Sequence, residues 1–252
     1  MKLTSIALTD LILACLKDFH RRRLERLNTL KLKQVLKRKN PYLFKAVGAQ
    51  SAVEIVGSLL TAYISSSDEG IFGDAFFEPI AKAVSGGVVS PSEGVDIAIE
   101  SKRKYLAVAV KSGPNQYNAS QKKRQNDEFN ALRSRLMKLK KQFDALLGHC
   151  YGQIRIEPSK IRIYRDRAGQ DFWHEITGDQ DFYLRLIASM NNEVINTHKH
   201  DYKNAWDRAV NRYLREFTND FCLENGAINW EKLVQFNSGS KPIKAAVSKK
   251  KL

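Results

Sequence analysis

The stretch that decides the fold is residues 93–121, EGVDIAIESKRKYLAVAVKSGPNQYNASQ. Its apolar residues alternate over Gly94–Glu100 and form a β-branched and aliphatic run over Lys104–Lys111, a pattern typical of two strands. A short polar turn joins them. In such a hairpin Asp96, near the start of the first strand, lies beside Lys111, at the end of the second. The pattern therefore brings a carboxylate and an amine together at one edge of a sheet.

Strand geometry sorts the side chains of this hairpin into two faces. The expected core-facing set is Val95, Ile97, Ile99, Leu106, Val108 and Val110. Asp96, Ala109 and Lys111 lie on the opposite face. Glu100 shares their face but lies about 13 Å from Asp96 at about 3.3 Å per residue, too far to share a metal ion.

Asp96 and Lys111 suit phosphodiester hydrolysis. A carboxylate binds Mg²⁺, which polarises the scissile phosphate and lowers the pKa of the attacking water, and Mn²⁺ is the expected substitute. The lysine orients that water or offsets charge that builds on the phosphate. An Asp followed one hairpin later by a strand-ending Lys resembles the PD-(D/E)xK nuclease core. That motif has an acid two residues before the lysine, where this chain has Ala109, and an amphipathic hairpin with solvated ends fits the same spacing.

A wider set of segments resembles the PmeII-type restriction endonucleases, a divergent branch of that nuclease superfamily. These segments are Glu93–Asp96, Val110–Asn115, Asn118–Gln121, Tyr63–Ser67, Phe72–Asp74, Cys150–Gly152, Phe172–Gly178 and Trp230–Asn237. The resemblance covers residues 50–237. It implies an α/β fold with a PD-(D/E)xK restriction-endonuclease-like central mixed sheet flanked by helices, with extra N- and C-terminal helices. It also implies that the small residue at Ala109 is a trait of the family.

A second metal carboxylate is expected on the helix before the Asp strand, as the nuclease superfamily often has it there. Glu78 is the best-placed match, with Glu93 and Glu54 as alternatives, and a surface acid is the ordinary explanation for Glu78. Pro79 means that this helix either begins there or is kinked. If Glu78 is the second acid, an acid placed at Ala109 is expected to compensate in part for its loss.

The charge of the chain points to an anionic partner. The net charge is +15, so nucleic acid is the first candidate and an anionic membrane surface the second. Arg22, in a basic helical segment, and Lys123, on the helix after the hairpin, are expected phosphate contacts. Ser112, Asn115 and Gln121, which follow the lysine strand, are candidate substrate contacts. Helix-start polar groups are an equally good explanation for Gln121.

The rest of the chain predicts a basic helical segment over 1–40, a nuclease core over 41–178, a C-terminal helical extension over 179–237 and a disordered basic tail over 238–252. The predicted helices cover residues 4–38, 40–64, 119–147, 179–196, 200–222 and 230–236. The predicted strands after the hairpin cover 149–156, 161–165 and 171–175. A polar turn is expected at 65–69, and His198 and His200 are expected in a solvated loop rather than a zinc site.

The cysteines are few, odd in number and widely spaced, which favours a reduced, cytoplasmic protein. No apolar run is long enough for a membrane span, and no signal peptide is evident. The function predicted is that of a Mg²⁺-dependent type II restriction endonuclease acting on duplex DNA. By analogy it is expected to be a homodimer with a cognate DNA methyltransferase as genetic partner. The alternatives are a catalytically inactive DNA-binding protein that retains the fold, or a structure-specific repair or RNA nuclease.

Overall fold

The computed structural model describes residues 4–114, 117–137, 140–190 and 192–240. The chain divides into two compact units. The first comprises Met1–Glu25 and Ser66–Asp201, and the second comprises Arg26–Ser65 and Tyr202–Leu252. The described strands of the sheet belong to the first unit. Asp96, Lys111 and Glu78 belong to it as well.

The sheet of the first unit is mixed, with the strand order β1-β2-β3-β4-β6-β5 among the described residues. The strands are β1 Val88–Val89, β2 Ile97–Glu100, β3 Lys104–Lys111, β4 Gln142–His149, β5 Arg155–Ile156 and β6 Arg165–Ala168. β1, β2 and β3 pair antiparallel, whereas β3, β4 and β6 run parallel. β5 pairs antiparallel with β6. Together with the flanking helices, this mixed sheet confirms the predicted α/β restriction-endonuclease-like fold.

In the first unit helices flank this sheet, and the second unit is built from helices. Those described are α1 Ser5–Thr29, α2 Leu32–Leu36, α3 Pro41–Ala46, α4 Ala52–Phe72, α5 Glu78–Ser85, α6 Ala119–Met137, α7 Gln170–Thr177, α8 Phe182–Ala188, α9 Asn192–Phe221 and α10 Trp230–Ser238. A π-helical turn, Gly73–Phe77, joins α4 to α5. None of the described helices combines the length and the apolar composition that a bilayer span requires.

Both faces of the central strands are buried. One face packs against side chains of α1, α5, α7 and α8, and the other packs against α6. Ala107 and Ala109, on the α6 face, are fully buried, because helices cover both faces of a strand that runs parallel to its neighbour. The α6 side is therefore a second core layer rather than a solvent face.

The start of the hairpin differs from the prediction. β2 begins at Ile97 rather than at Gly94, so the strand alternation does not extend back to Val95. Val95 therefore packs with Ala98 in the α6-side cluster, and not with Ile97 on the opposite face. β3 spans Lys104–Lys111, as predicted.

Several predicted elements are wrong at their ends. The helix predicted over 40–64 is broken into α3 and α4, where Gly48 adopts a φ of 81°. The polar run at 65–69 lies inside α4 instead of forming a turn. There Asp68 forms a 2.8 Å ion pair with Arg23 of α1, and this tertiary contact outweighs the weak helix propensity of the serines.

The region after the hairpin also differs. The helix predicted over 119–147 ends at Met137, and residues 142–149 form β4. Of the strand predicted over 149–156, only His149, at the end of β4, and the short β5 are in strands. Of the strand predicted over 161–165, only Arg165 is in a strand, as the first residue of β6. The strand predicted over 171–175 is the helix α7, which buries Phe172, Trp173 and Ile176.

The C-terminal helices follow the prediction more closely. α8 falls within the helix predicted over 179–196. α9 begins at Asn192 and continues to Phe221, so the predicted break at 197–199 is wrong, and α10 covers residues 230–238. His198 and His200 lie on α9 and not in a loop. Residues 241–252, most of the predicted basic tail, lie outside the described residues.

The second unit has buried polar contacts of its own. Tyr213 of α9 is 1% exposed, and its hydroxyl donates a 2.5 Å hydrogen bond to Leu30 O. Asn237 of α10 donates from Nδ2 to Leu36 O and Lys39 O at 2.9 and 2.8 Å. These bonds link α9 to the residue that follows α1, and α10 to the end of α2 and the turn after it.

Candidate active site

Asp96 and Lys111 meet at one edge of the sheet. Asp96 directly precedes β2, Lys111 ends β3, and Lys111 Nζ lies 3.8 Å from Asp96 Oδ2. The same carboxylate oxygen accepts a 2.6 Å hydrogen bond from Val110 N, while Asp96 N donates to Val108 O at 2.9 Å. The side chains of Asp96 and Lys111 are 28% and 26% exposed. The carboxylate is thus fixed by the backbone of β3 and remains open to a ligand.

The loop before Asp96 depends on Gly94, whose φ of 72° lies in the left-handed region. A Cβ atom there would lie 1.7 Å from Glu128 Oε2 of α6. Only glycine satisfies both the conformation and the close approach. The position of Asp96 therefore depends partly on Gly94, which has no functional side chain.

Glu78 follows the π-helical turn that joins α4 to α5. Its N–H bonds to Gly73 O, five residues earlier, and Pro79 comes next. Because Pro79 has no N–H, the helix changes register here without losing a donor. A Cβ atom on Gly73 would lie 3.2 Å from Ser112 Cβ, so this part of the helix closely approaches the end of β3. π turns of this kind are frequent at functional sites.

The electrostatics of Glu78 connect it to both site residues. Partial burial raises the pKa of Glu78 above its usual value, the Asp96 and Asp74 carboxylates raise it further, and Lys111 opposes them. Glu78 as a residue is nevertheless solvent-exposed, so a ligand can reach it. Asp96 and Lys111 therefore both lie near enough to Glu78 to influence its ionisation.

The neighbouring cysteine takes no part in this chemistry. Cys150 is buried, and its N–H donates to Lys111 O at 2.9 Å. Burial raises the pKa of the Cys150 thiol well above its usual value, the Glu78 charge raises it further, and Lys111 lowers it. A thiol held neutral in this way is a poor nucleophile.

The alternative carboxylates have other partners. Glu93 is 77% exposed and forms a 2.5 Å ion pair with Arg124 of α6. Glu54, in the second unit, accepts hydrogen bonds from the N–H groups of Gln50 and Ser51 at 2.6 and 3.2 Å, and its own N–H donates to Ser51 Oγ. That arrangement is a capping box at the start of α4. Both alternatives thus have other partners, whereas the Asp96 charge raises the pKa of Glu78.

The candidate metal donors at this edge, among the described residues, are the carboxylates of Asp96 and Glu78. Among the described residues, no group of three or more His, Cys, Asp or Glu side chains is placed to hold a metal ion. Mg²⁺ is commonly held by one or two carboxylates, with waters and substrate phosphate completing its shell. A pair of carboxylates such as Asp96 and Glu78 would fit a site of this kind.

The predicted substrate contacts fall into different surroundings. Ser112 is 7% exposed, and its Oγ has no hydrogen-bond partner among the described atoms. Asn115 lies outside the described residues. Gln121 exchanges 2.9 Å hydrogen bonds with Asn118 at the start of α6, which is a helix-capping role. Arg22 pairs with Asp18 at 2.7 Å, whereas Lys123 is exposed on α6.

Tyr117 and Gln125 belong to the site but were not predicted. Lys111 Nζ lies 5.8 Å from the centre of the Tyr117 ring. Tyr117 Oη donates to Gln125 Oε1, and Gln125 Nε2 donates to Gly94 O, both at 2.7 Å. Burial and the Asp96 charge raise the pKa of Tyr117 to about 12. No spacing rule singles out these residues, because their roles depend on how α6 packs on the hairpin.

His149 is a further buried polar group beside the site. It pairs with Lys111 across β3 and β4, and it is 2% exposed. Its Nδ1 donates to Gly113 O at 2.9 Å, which holds the turn after Lys111. Its Nε2 lies 2.9 Å from Asp166 Oδ1, although this approach is not aligned for a hydrogen bond.

The chain matches a known protein family. The sequence profile described as type II restriction endonuclease EcoO109I matches residues 7–198. This span is more than half of the chain and includes Glu78, Asp96 and Lys111. It confirms the general resemblance to type II restriction endonucleases without singling out the PmeII type. No curated protein matches the chain.

Proposed function

The chain belongs to the EcoO109I family of type II restriction endonucleases, and from this premise we propose that it hydrolyses phosphodiester bonds of duplex DNA at a specific sequence. The observation that carries the proposal is the 3.8 Å approach of Lys111 Nζ to Asp96 Oδ2 at an open sheet edge. Glu78, whose pKa both groups shift, completes the constellation. A PmeII-like position within the family is part of the same proposal.

Asp96 and Glu78 are the residues that would hold Mg²⁺, or Mn²⁺ in its place. When bound, the ion polarises the phosphate and lowers the pKa of coordinated water. Val110 N–H occupies Asp96 Oδ2 and fixes the plane of that carboxylate. The backbone of β3 therefore sets the orientation of this carboxylate before a ligand arrives.

Lys111 supplies the positive charge of the site. Its ammonium lies between the Asp96 carboxylate and the Tyr117 ring. From there it can donate a hydrogen bond to the attacking water or to a phosphate oxygen, and it offsets the charge that develops as the bond breaks. Ala109 supplies no acid, so the negative charge at the site comes from Asp96 and Glu78.

The net charge of +15 supports duplex DNA as the substrate. Lys122 and Lys123 extend this charge along the exposed side of α6, whose first turn follows the lysine strand. Cutting both strands of a duplex commonly requires two active sites. We therefore propose a homodimer, with a DNA methyltransferase of the same specificity as its genetic partner.

The test is cleavage of phage and plasmid DNA in Mg²⁺, Mn²⁺ or Ca²⁺, with Asp96→Asn as the matched control. We expect discrete fragments in Mg²⁺ and Mn²⁺, binding without cleavage in Ca²⁺, and no fragments from the variant. Tight binding without cutting, across many DNA sequences and all three ions, would identify an inactive DNA-binding relative and overturn the proposal.

A further inference from the structure

We propose that Tyr117 and Gln125 are positioning residues that hold Asp96 and Lys111 in their working arrangement, an inference that rests on the proposed function. Neither residue touches the reacting atoms. Together they connect both members of the pair to α6. The connection runs through Gln125 to the loop that carries Asp96, and through the Tyr117 ring to the Lys111 ammonium.

The Gln125 amide has one possible orientation. Gly94 O can only accept, so the atom that faces it at 2.7 Å must be the NH₂ group of Gln125. Oε1 then faces Tyr117, whose hydroxyl must donate its proton to it. Gln125 is 2% exposed, so water cannot replace either bond. Loss of the amide would remove the hydrogen-bond partner of the half-buried Gly94 carbonyl, two residues before Asp96.

The hydroxyl bond fixes the plane of the Tyr117 ring. The ring then presents its face to Lys111 Nζ at 5.8 Å. A lysine side chain otherwise has many rotamers, and holding it in one of them costs entropy. The face of the ring attracts the ammonium, which also lies 3.8 Å from Asp96 Oδ2. Tyr117 therefore helps to pre-organise the charge that catalysis requires.

The position without the motif acid belongs to the same layer. Ala109 is fully buried in the α6-side cluster, against which Tyr117 also packs. Packing and the hydrogen bonds of Tyr117 and Gln125 therefore occupy the α6 side of β3 beside this position.

The experiment compares Tyr117→Phe, Tyr117→Leu and Gln125→Met, with Tyr42→Leu on the exposed face of α3 as control. We expect Tyr117→Leu and Gln125→Met to lower kcat by about 10-fold or more, with unchanged Kd for cognate duplex in Ca²⁺. Tyr117→Phe keeps the ring and should lose only about 2- to 3-fold. Tyr42→Leu should behave like the wild type.

A second readout requires no cleavage. In isotope-labelled protein, the ring shifts the NMR signal of the Lys111 ε-methylene group, and we expect this shift in wild type and Tyr117→Phe but not in Tyr117→Leu. Wild-type kcat in Tyr117→Leu, a loss of kcat matched by an equal loss of DNA affinity, or an unchanged Lys111 signal would each overturn the proposal. If the wild type does not cut DNA but the Lys111 signal moves as expected, the proposed function fails and the positioning role stands.

Discussion

Lys111 Nζ and Asp96 Oδ2 lie 3.8 Å apart, farther than a hydrogen bond but well within the range of strong electrostatic attraction. The carboxylate oxygen bonds instead to Val110 N, the amide directly before the lysine. Lys111 therefore lies beside Asp96, but its N–H groups do not form a hydrogen bond to Asp96 Oδ2. Those donors are left for a water or a phosphate oxygen, which is the property on which the first prediction depends.

Lys111→Ala is expected to lower the single-turnover cleavage rate by about 100- to 1,000-fold, because it removes the donor aimed at developing negative charge. DNA affinity in Ca²⁺ should change little. The matched control is Lys104→Ala, which removes the other lysine of the same strand, at the far end where it pairs with Asp144. An equal loss of cleavage in both variants would mean that Lys111 contributes only general charge.

Glu78→Gln is expected to abolish cleavage while stabilising the metal-free protein at neutral pH. The folded-state pKa of Glu78 is raised above its ordinary value of 4.5, chiefly by burial and by the Asp96 charge. The stability contribution of a group with a raised pKa is present below the unfolded pKa, and it is lost as pH rises through the folded pKa. Because the glutamine side chain in Glu78→Gln does not ionise, the variant does not lose stability in this way at neutral pH. Because Glu78 is solvent-exposed, we expect a gain of less than about 0.5 kcal/mol.

Thermal unfolding at pH 7 and pH 4, with and without Mg²⁺, checks this prediction. The advantage of Glu78→Gln should shrink at pH 4, where the wild-type carboxyl is largely protonated. Added Mg²⁺ should stabilise the wild type and leave the variant unchanged. A variant less stable than wild type at pH 7 without Mg²⁺ would show that Glu78 has a structural bond instead.

The chemistry of the hairpin could be predicted from sequence because it depends on neighbours in one strand pair. Asp96 and Lys111 are placed by strand periodicity and by a short turn, both of which are local. Glu78 could be predicted only from the resemblance to a nuclease family. The way its helix meets the sheet depends on the π-helical turn Gly73–Phe77, which sequence periodicity does not indicate. Tyr117 and Gln125 could not be found in this way, because their partners lie on the opposite side of a packed interface.

The main error of fold prediction has a comparable cause. Leu136, Phe143 and Leu147 fit a helical spacing, yet Phe143 and Leu147 equally fit one face of a strand. β4 is covered on both faces, so its sequence lacks the polar alternation that marks an exposed strand. The break is marked by Lys140, which adopts a φ of 54°. This left-handed conformation cannot be predicted from a lysine, because residues other than glycine rarely adopt it.

Lys123→Ala is expected to weaken duplex binding and to reduce the slope of log K against log salt by about 0.9, as for the loss of one phosphate contact. Arg22→Ala should have a smaller effect, because Asp18 already pairs with that guanidinium at 2.7 Å. Titrations between about 50 and 200 mM salt measure both slopes. Lys203→Ala is the control, because Lys203 already pairs with Asp207 on α9. Affinity that does not vary with salt in the wild type would rule out phosphate contacts altogether.

The burial of Ala109 argues against the expectation that an acid there can replace Glu78. Its side chain is fully buried beside Phe129 and Tyr164, so a carboxylate would be desolvated without a partner. Ala109→Glu is expected to destabilise the protein by about 3 kcal/mol or more, and the double change with Glu78→Ala should remain inactive.

Urea unfolding of Ala109→Glu and Ala109→Gln separates charge from size, because the two side chains differ little in volume. Both should be destabilised by overpacking, by about 1–3 kcal/mol. The further loss in the Glu variant should appear only as pH rises through the raised pKa of the buried acid, since at low pH that acid is neutral, like Gln. Near-wild-type stability of Ala109→Glu at pH 7, together with recovered cleavage in the double variant, would show that α6 yields to admit the acid and that this position opens onto the metal site.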